Sequence, residues 1–262
     1  MLGGTGAGTS NQGQFWARFV MAEHLGTWAM ELMHVLCDFF DVRCIPGYVD
    51  CEGDVVNFDN MAWNGGMHPT ALTKASIEWL DDTAIAKHTG RAVPYELHAV
   101  GLTQPPPPGR VTAVRVGSDV PYLMAEARLR VDPFEASSTL EPGISSEGVI
   151  VYRVQTSSPK GFPQDNHIPL YLLTGTALGV GQTIVTDSNV SVSVTGSRPG
   201  AFLVVVDDRS APFVTGQLLF YRDTTQDGTG DVNTPGVIGL GGWQDMLHVF
   251  GGGNGIIYAV PR

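Results

Sequence analysis

From residue 97 onward the apolar residues of this chain fall in short runs, each ended by a turn, and that period limits what the chain can fold into. Residues 97–102, 110–116, 122–131 and 148–156 alternate or run apolar. Residues 183–195 and 201–206 do the same, with Ser197-Arg198-Pro199-Gly200 as the turn before the last of them. Successive side chains of a strand point to opposite faces, so runs of this kind are strands half or wholly buried in a sheet. Four consecutive prolines at 105–108 followed by Gly109 read as a stiff turn that starts a hairpin. No repeat is visible along the 262 residues.

The region before this has a different pattern. Residues 15–40, FWARFVMAEHLGTWAMELMHVLCDFF, contain no proline and a single glycine. Apolar residues cover nearly every side of a helical wheel there, which predicts a buried central helix. Residues 68–80, HPTALTKASIEWL, read as a second helix with Pro69 near its start. From about Arg209 the composition shifts again, toward Gly, Asp and aromatics. The expected division is a helical unit at 1–90, a β-rich unit at 91–208 and a short glycine-rich unit at 209–262.

Charge narrows the function classes. Fifteen basic side chains against 26 acidic ones give a net −11, with no basic run. Nucleic acids and anionic membranes both require a positive footprint, so neither is an expected partner. No stretch of 18 apolar residues exists to span a bilayer. Residues 1–14 have neither a basic nor an apolar leader segment. Low charge and short, turn-rich segments point to an extracellular protein whose signal segment is not in this chain, the other reading being a cytosolic protein. Cys37, Cys44 and Cys51 are spaced too widely for a zinc knuckle. A Cys44–Cys51 disulfide is one reading, with Cys37 as a buried thiol.

The long helix carries the first chemistry. Met30-Glu31-Leu32-Met33-His34 sets a carboxylate three residues before an imidazole. A zinc-protease helix needs His at positions i and i+4 on one face with a Glu between them. Here Met30 stands at the first of those positions. His24 and Glu31 fall about 20° apart on the wheel, but two turns separate them by roughly 10 Å, too far to share one ion unaided.

The wider context of that helix is GTWAMELMHVLCDFFD at 26–41, then Asn57-Phe58-Asp59-Asn60-Met61-Ala62, Pro69-Thr70-Ala71-Leu72-Thr73-Lys74 and Trp79-Leu80. With Pro121-Tyr122-Leu123-Met124-Ala125-Glu126-Ala127-Arg128 and Gly148-Val149-Ile150-Val151-Tyr152-Arg153-Val154, this order resembles the immune inhibitor A-type secreted metalloproteases. The resemblance implies a zincin-like scaffold. Met30 replaces its first zinc ligand, and a thioether does not stand in for imidazole on zinc. The third ligand falls near Glu52 or Asp54. The β lobe that precedes the helix in that family has no counterpart in residues 1–14. No catalysis is therefore expected, with Glu31 and His34 as vestigial candidates. No metal is expected either, His34 and Glu52 being the residues that would hold zinc.

Residues 217–260 carry the second constellation. One apolar strand at 218–221 leads through a polar loop to Gly-Gly-Trp-Gln-Asp and two strands joined at Gly251-Gly252-Gly253-Asn254-Gly255. Tyr221-Arg222, Gly242-Trp243, Asp245, His248, Phe250, Gly252, Gly255, Ile257, Tyr258 and Ala259 resemble, in order, one blade of a tachylectin-type β-propeller lectin. Sugars are held by aromatic faces together with acidic, amide and main-chain groups. Trp243, Asp245, His248, Asn254 and Tyr258 supply those groups. The resemblance implies N-acetylated amino sugars as ligands. One blade cannot close a propeller, so it further implies a homo-oligomer, a pentamer above all. Calcium at Asp223, Asp227 and Asp231 is the other cofactor the sequence admits, though a polar hairpin loop is the better reading of those residues.

The fold class expected from these readings is α+β. Two buried helices, a zincin-like remnant, pack with a β-sandwich-like region, and one four-stranded propeller blade follows. The expected function is carbohydrate binding by an oligomer on an inactive protease-like scaffold. The alternatives are a secreted zinc metallopeptidase with a non-standard ligand set and a purely structural assembly protein.

Overall fold

The computed structural model describes residues 7–9, 15–17, 25–37, 39, 42, 55, 57–62, 66–136, 143–155, 170–211, 218–220, 236–239, 246–253 and 256–261. Most of that backbone is strand. Two sheets dominate, and their strands are β3 Ile85–His88, β4 Val93–His98, β5 Ala113–Val116, β6 Tyr122–Arg128, β7 Gly148–Val154, β8 Leu170–Leu172, β9 Thr183–Val185, β10 Val190–Arg198 and β11 Ala201–Asp208. The five-stranded sheet has the order β3-β5-β6-β7-β8, and the four-stranded sheet the order β4-β11-β10-β9. Every pair is antiparallel except β3 with β5.

The strand period explains how the layers stack. On β6 and β7, Leu123, Ala125, Ala127, Val149 and Val151 face one way, into a core shared with Val192, Val194, Phe202, Val204 and Val206 of the four-stranded sheet. The alternate residues Met124, Ile150, Tyr152 and Val154 face the other way, into a core shared with Met30, Met33, Phe58, Met61, Ala71 and Leu72. The five-stranded sheet is thus the middle of three layers, which is why both β6 and β7 are almost wholly buried. Burying one such side chain contributes roughly 1.5–3 kcal/mol, so the paired central strands anchor both cores.

Gly148 illustrates how tightly this layer is drawn. It begins β7 at φ 145°, and a Cβ there would lie 2.3 Å from the Leu178 carbonyl oxygen. The close approach arises because Val149 and Leu178 exchange backbone hydrogen bonds at 2.9 and 2.8 Å. Only a residue without a side chain fits.

Two α-helices occur among the described residues: α1 Leu25–Cys37 and α2 Ala71–Ser76. Both expected helices are therefore shorter than the apolar pattern suggested. At 15–17 the chain is a strand, β2 Phe15–Ala17, paired with β1 Ala7–Thr9 and packed near α1. Leu32 and Leu36 on α1 are 40% and 75% exposed, so that helix is not buried on all sides. Thr70 caps α2 by accepting from the Thr73 amide, and two residues after its end Glu78 turns to φ 64°.

The α+β expectation is overturned. Two sheets of five and four strands carry the architecture, and α1 and α2 only cover one face of the larger sheet. This is not a helix-plus-sheet zincin fold. The four-stranded C-terminal blade is corrected as well. Strands β12 Leu218–Phe220 and β13 Gly236–Gly239 form one two-stranded sheet, and β14 Met246–Gly253 and β15 Ile256–Pro261 form another. Register shifts interrupt both ladders, and glycine-rich strands hold neighbours weakly.

Candidate functional site

Of the motif on α1, Met30 and Met33 belong to the core. Met30, at the expected first-ligand position, is 8% exposed and packs with Met33, Phe58 and Met61. Glu31 is buried, and His34 is half-buried with Nδ1 2.5 Å from the Phe39 carbonyl oxygen. Glu52 lies outside the described residues. Among the described residues no group of three or more His, Cys, Asp or Glu side chains is placed to hold a metal ion. Cys37 is a free, half-buried thiol, while Cys44 and Cys51 lie outside the described residues. No helix among the described residues is long and apolar enough to cross a membrane.

Of the sugar-binding candidates, Trp243, Asp245 and Asn254 lie outside the described residues, as do the possible calcium ligands Asp223, Asp227 and Asp231. His248 and Tyr258 lie on β14 and β15. There His248 pairs with Val260 and Phe250 with Tyr258. Cross-strand partners share a face, so the register puts positions 248, 250, 258 and 260 on one side of the hairpin.

The densest polar arrangement is one that sequence reasoning noted only as a strand motif. Glu126 and Arg128, two apart on β6, point to the helical side of the middle sheet. Arg128 donates through Nη1 to Glu126 at 3.1 Å, and through Nη2 to Glu135 at 2.7 Å and to the His68 carbonyl at 2.9 Å. The second oxygen of Glu126 accepts from the Tyr152 hydroxyl and from the Ala71 amide, each at 2.8 Å. All three charged side chains are 0% exposed. Burial pushes the carboxyls of Glu126 and Glu135 above their ordinary range. Asp59 binds the same helix start, accepting from the Thr70 amide at 2.9 Å and the Thr73 hydroxyl at 2.7 Å. This fully buried network ties the start of α2 to the sheet. An acidic and a basic residue at alternate positions of an otherwise apolar strand were its signal in the sequence.

Two open clefts border the sheets. One, of about 440 Å³, is lined by Tyr122, Arg153, Asp187 and Asp208 among others, and within it Arg153 and Asp187 form an ion pair. The other, of about 420 Å³, lies between the end of α2 and the four-proline loop, with Lys74, Trp79 and His98 in its lining. Lys74 donates to the Val100 carbonyl at 2.6 Å. Its amine is lowered to about 8 by burial and by the nearby Arg128 guanidinium. In the sequence Trp79 stands out only as part of Trp79-Leu80, and nothing there ties it to Lys74 or His98.

No protein-family model matches the chain, and no curated protein or solved structure matches it either.

Proposed function

We propose that the protein is an extracellular carbohydrate-binding protein of the lectin kind. Its ligands are glycans, N-acetylated amino sugars first among them, held by Trp243, Asp245, His248, Asn254 and Tyr258. The observation that supports this is the β14–β15 register, which brings His248, Phe250 and Tyr258 to one face of a glycine-rich hairpin. Residues of these types suit a sugar, aromatic rings for its C–H groups and an imidazole for a hydroxyl.

A second observation supports an oligomer. Among the described residues both C-terminal sheets have two strands, and an isolated hairpin is marginal in water until further strands cover it. Copies of the same chain supply such strands, and a ring of five is the form this reading takes. Light scattering that returns a 28.0 kDa monomer at working concentration rules the ring out.

Retention on immobilised N-acetylglucosamine tests the sugar reading. The protein is expected to be held and to elute with free sugar, and His248→Ala and Trp243→Ala to pass through. A protein that passes straight through, or variants retained like the parent, would contradict it.

A further inference from the structure

Lys74 is a half-buried lysine in the last turn of α2, and among the described residues no carboxylate lies within ion-pair distance of it. Its Nζ meets a neutral group instead, the Val100 carbonyl oxygen at 2.6 Å. Lys74 and Val100 both line the open cleft of about 420 Å³. The acidic groups that act on the amine are engaged elsewhere. Arg128 holds Glu126 at 3.1 Å and Glu135 at 2.7 Å, and His68 holds Asp132 at 2.7 Å. The amine therefore feels the like charge of Arg128 with no counter-ion of its own.

That setting favours the form of lysine that reacts. An ammonium has no lone pair, whereas a neutral amine is a nucleophile. With the amine lowered to about 8 by burial and by Arg128, a free lone pair is available close to neutral pH. The neutral amine still donates one N–H to Val100, which keeps Nζ in place, and its lone pair is left over. The walls suit an uncharged molecule, since Leu80, Leu102 and the four prolines at 105–108 line the same cleft. Its volume lies within the range of small-ligand sites, roughly 300–1,000 Å³. Acyl or phosphoryl transfer would ask for donors aimed at a developing oxyanion. Imine formation asks only for the amine and for water, which an open cleft admits.

We propose that Lys74 is a covalent site for small apolar aldehydes, which it takes up as an imine. Nζ attacks the carbonyl carbon, so that the C–N bond forms and the C=O π pair moves to oxygen. Nitrogen gives up a proton and that oxygen gains one, both through water. The resulting carbinolamine loses its hydroxyl as water, a second nitrogen proton balancing the charge, and C=N remains. No oxidant or reductant takes part. The site does not depend on the carbohydrate-binding reading.

Reductive alkylation of the full chain with butanal and cyanoborohydride at pH 7.5 tests it, because the hydride traps the imine as a stable secondary amine. The sequence has three lysines, at 74, 87 and 160, and the exposed Lys87 on β3 is the reference. Peptide mapping separates Lys74 from the α-amino group of the chain, which also reacts near this pH. Lys74 is expected to be labelled at least about tenfold faster than Lys87. Its rate should saturate with butanal concentration and level off above about pH 8, while the rate at Lys87 stays proportional to butanal. Lys74→Arg keeps a donor for Val100 and should lose the fast label with Lys87 unchanged. Labelling of Lys74 no faster than Lys87, or a rate at Lys74 strictly proportional to butanal, overturns the proposal. Fast uptake that persists in Lys74→Arg overturns it as well.

Discussion

Tyr152 donates its hydroxyl to Glu126 at 2.8 Å across the β6–β7 pair, beneath the first turn of α2. That bond closes a buried circuit in which one guanidinium balances two carboxylates, and it carries several consequences for stability. Removing Arg128 leaves Glu126 and Glu135 buried and unbalanced. Arg128→Met is expected to cost about 3–5 kcal/mol, read as a fall in the urea midpoint, because an orphaned buried charge is expensive. Tyr152→Phe removes one neutral donor to the same carboxylate and should cost less, about 1–3 kcal/mol. Equal losses for the two variants would mean that packing, and not charge balance, sets the cost.

Gly148 is expected to tolerate no side chain. Its φ of 145° and the 2.3 Å approach to the Leu178 oxygen each forbid a Cβ. Gly148→Ala should destabilise by about 2–4 kcal/mol in thermal or urea unfolding. A variant as stable as the parent would show that β7 does not bridge to Leu178.

Met30→His recreates the missing residue of a zinc helix and separates a core role from a metal role. Since Met30 is buried among Met33, Phe58 and Met61, an imidazole there should cost about 1–3 kcal/mol. Elemental analysis of the variant after incubation with zinc is expected to find no bound metal. Stoichiometric zinc, with stability regained on loading, would contradict the structural reading of α1.

The pH dependence follows from the histidines. His88 sits with Nε2 2.9 Å from the Gly90 carbonyl and Nδ1 3.0 Å from the Tyr95 hydroxyl. Nε2 must donate to that carbonyl, while the Tyr95 hydroxyl can donate to Nδ1 of a neutral ring or accept from a protonated one, so it is burial that favours the neutral form. Burial holds His68, His88 and His98 below their ordinary 6.5. A depressed group contributes stability that is complete above the unfolded value and is lost as pH falls through the folded one. Taken by themselves, these histidines lower the urea midpoint as pH falls below 6.5. In the NMR titration, His88 should stay neutral at a pH where a free imidazole is half protonated. A His88 midpoint at or above 6.5 would contradict this arrangement. Glu126 and Glu135 act with the opposite sign. Their raised carboxyls favour the fold at low pH, and that contribution fades as pH climbs from about 4.5 through the folded values.

The alternation of residues 122–131 and 148–156 made β6 and β7 legible, because a strand packed on both faces still leaves its period in the side-chain sizes. The turn before Gly200 was legible for a similar reason: Gly200 takes φ 71°, a conformation that glycine adopts freely. The helix at 15–40 misled because its apolar residues serve three different structures. Phe15–Ala17 is a strand, Leu25–Cys37 a helix half open to solvent, and Phe39 a single buried ring. Composition cannot tell one long buried helix from three short apolar contacts. The cleft around Trp79 was not legible at all, since it joins residues 74, 79, 98 and 105–108 through a turn and a crossing strand. Trp243, Asp245 and Asn254 rest on a resemblance in sequence and on residue chemistry, which give neither distances nor orientation, and they lie outside the described residues.

Binding to an array of immobilised glycans tests the central claim most directly. Signal is expected on N-acetylglucosamine- and N-acetylgalactosamine-terminated glycans, competed by the free sugar and reduced in His248→Ala. An array without signal at micromolar protein, or signal indifferent to competing sugar, would contradict carbohydrate binding.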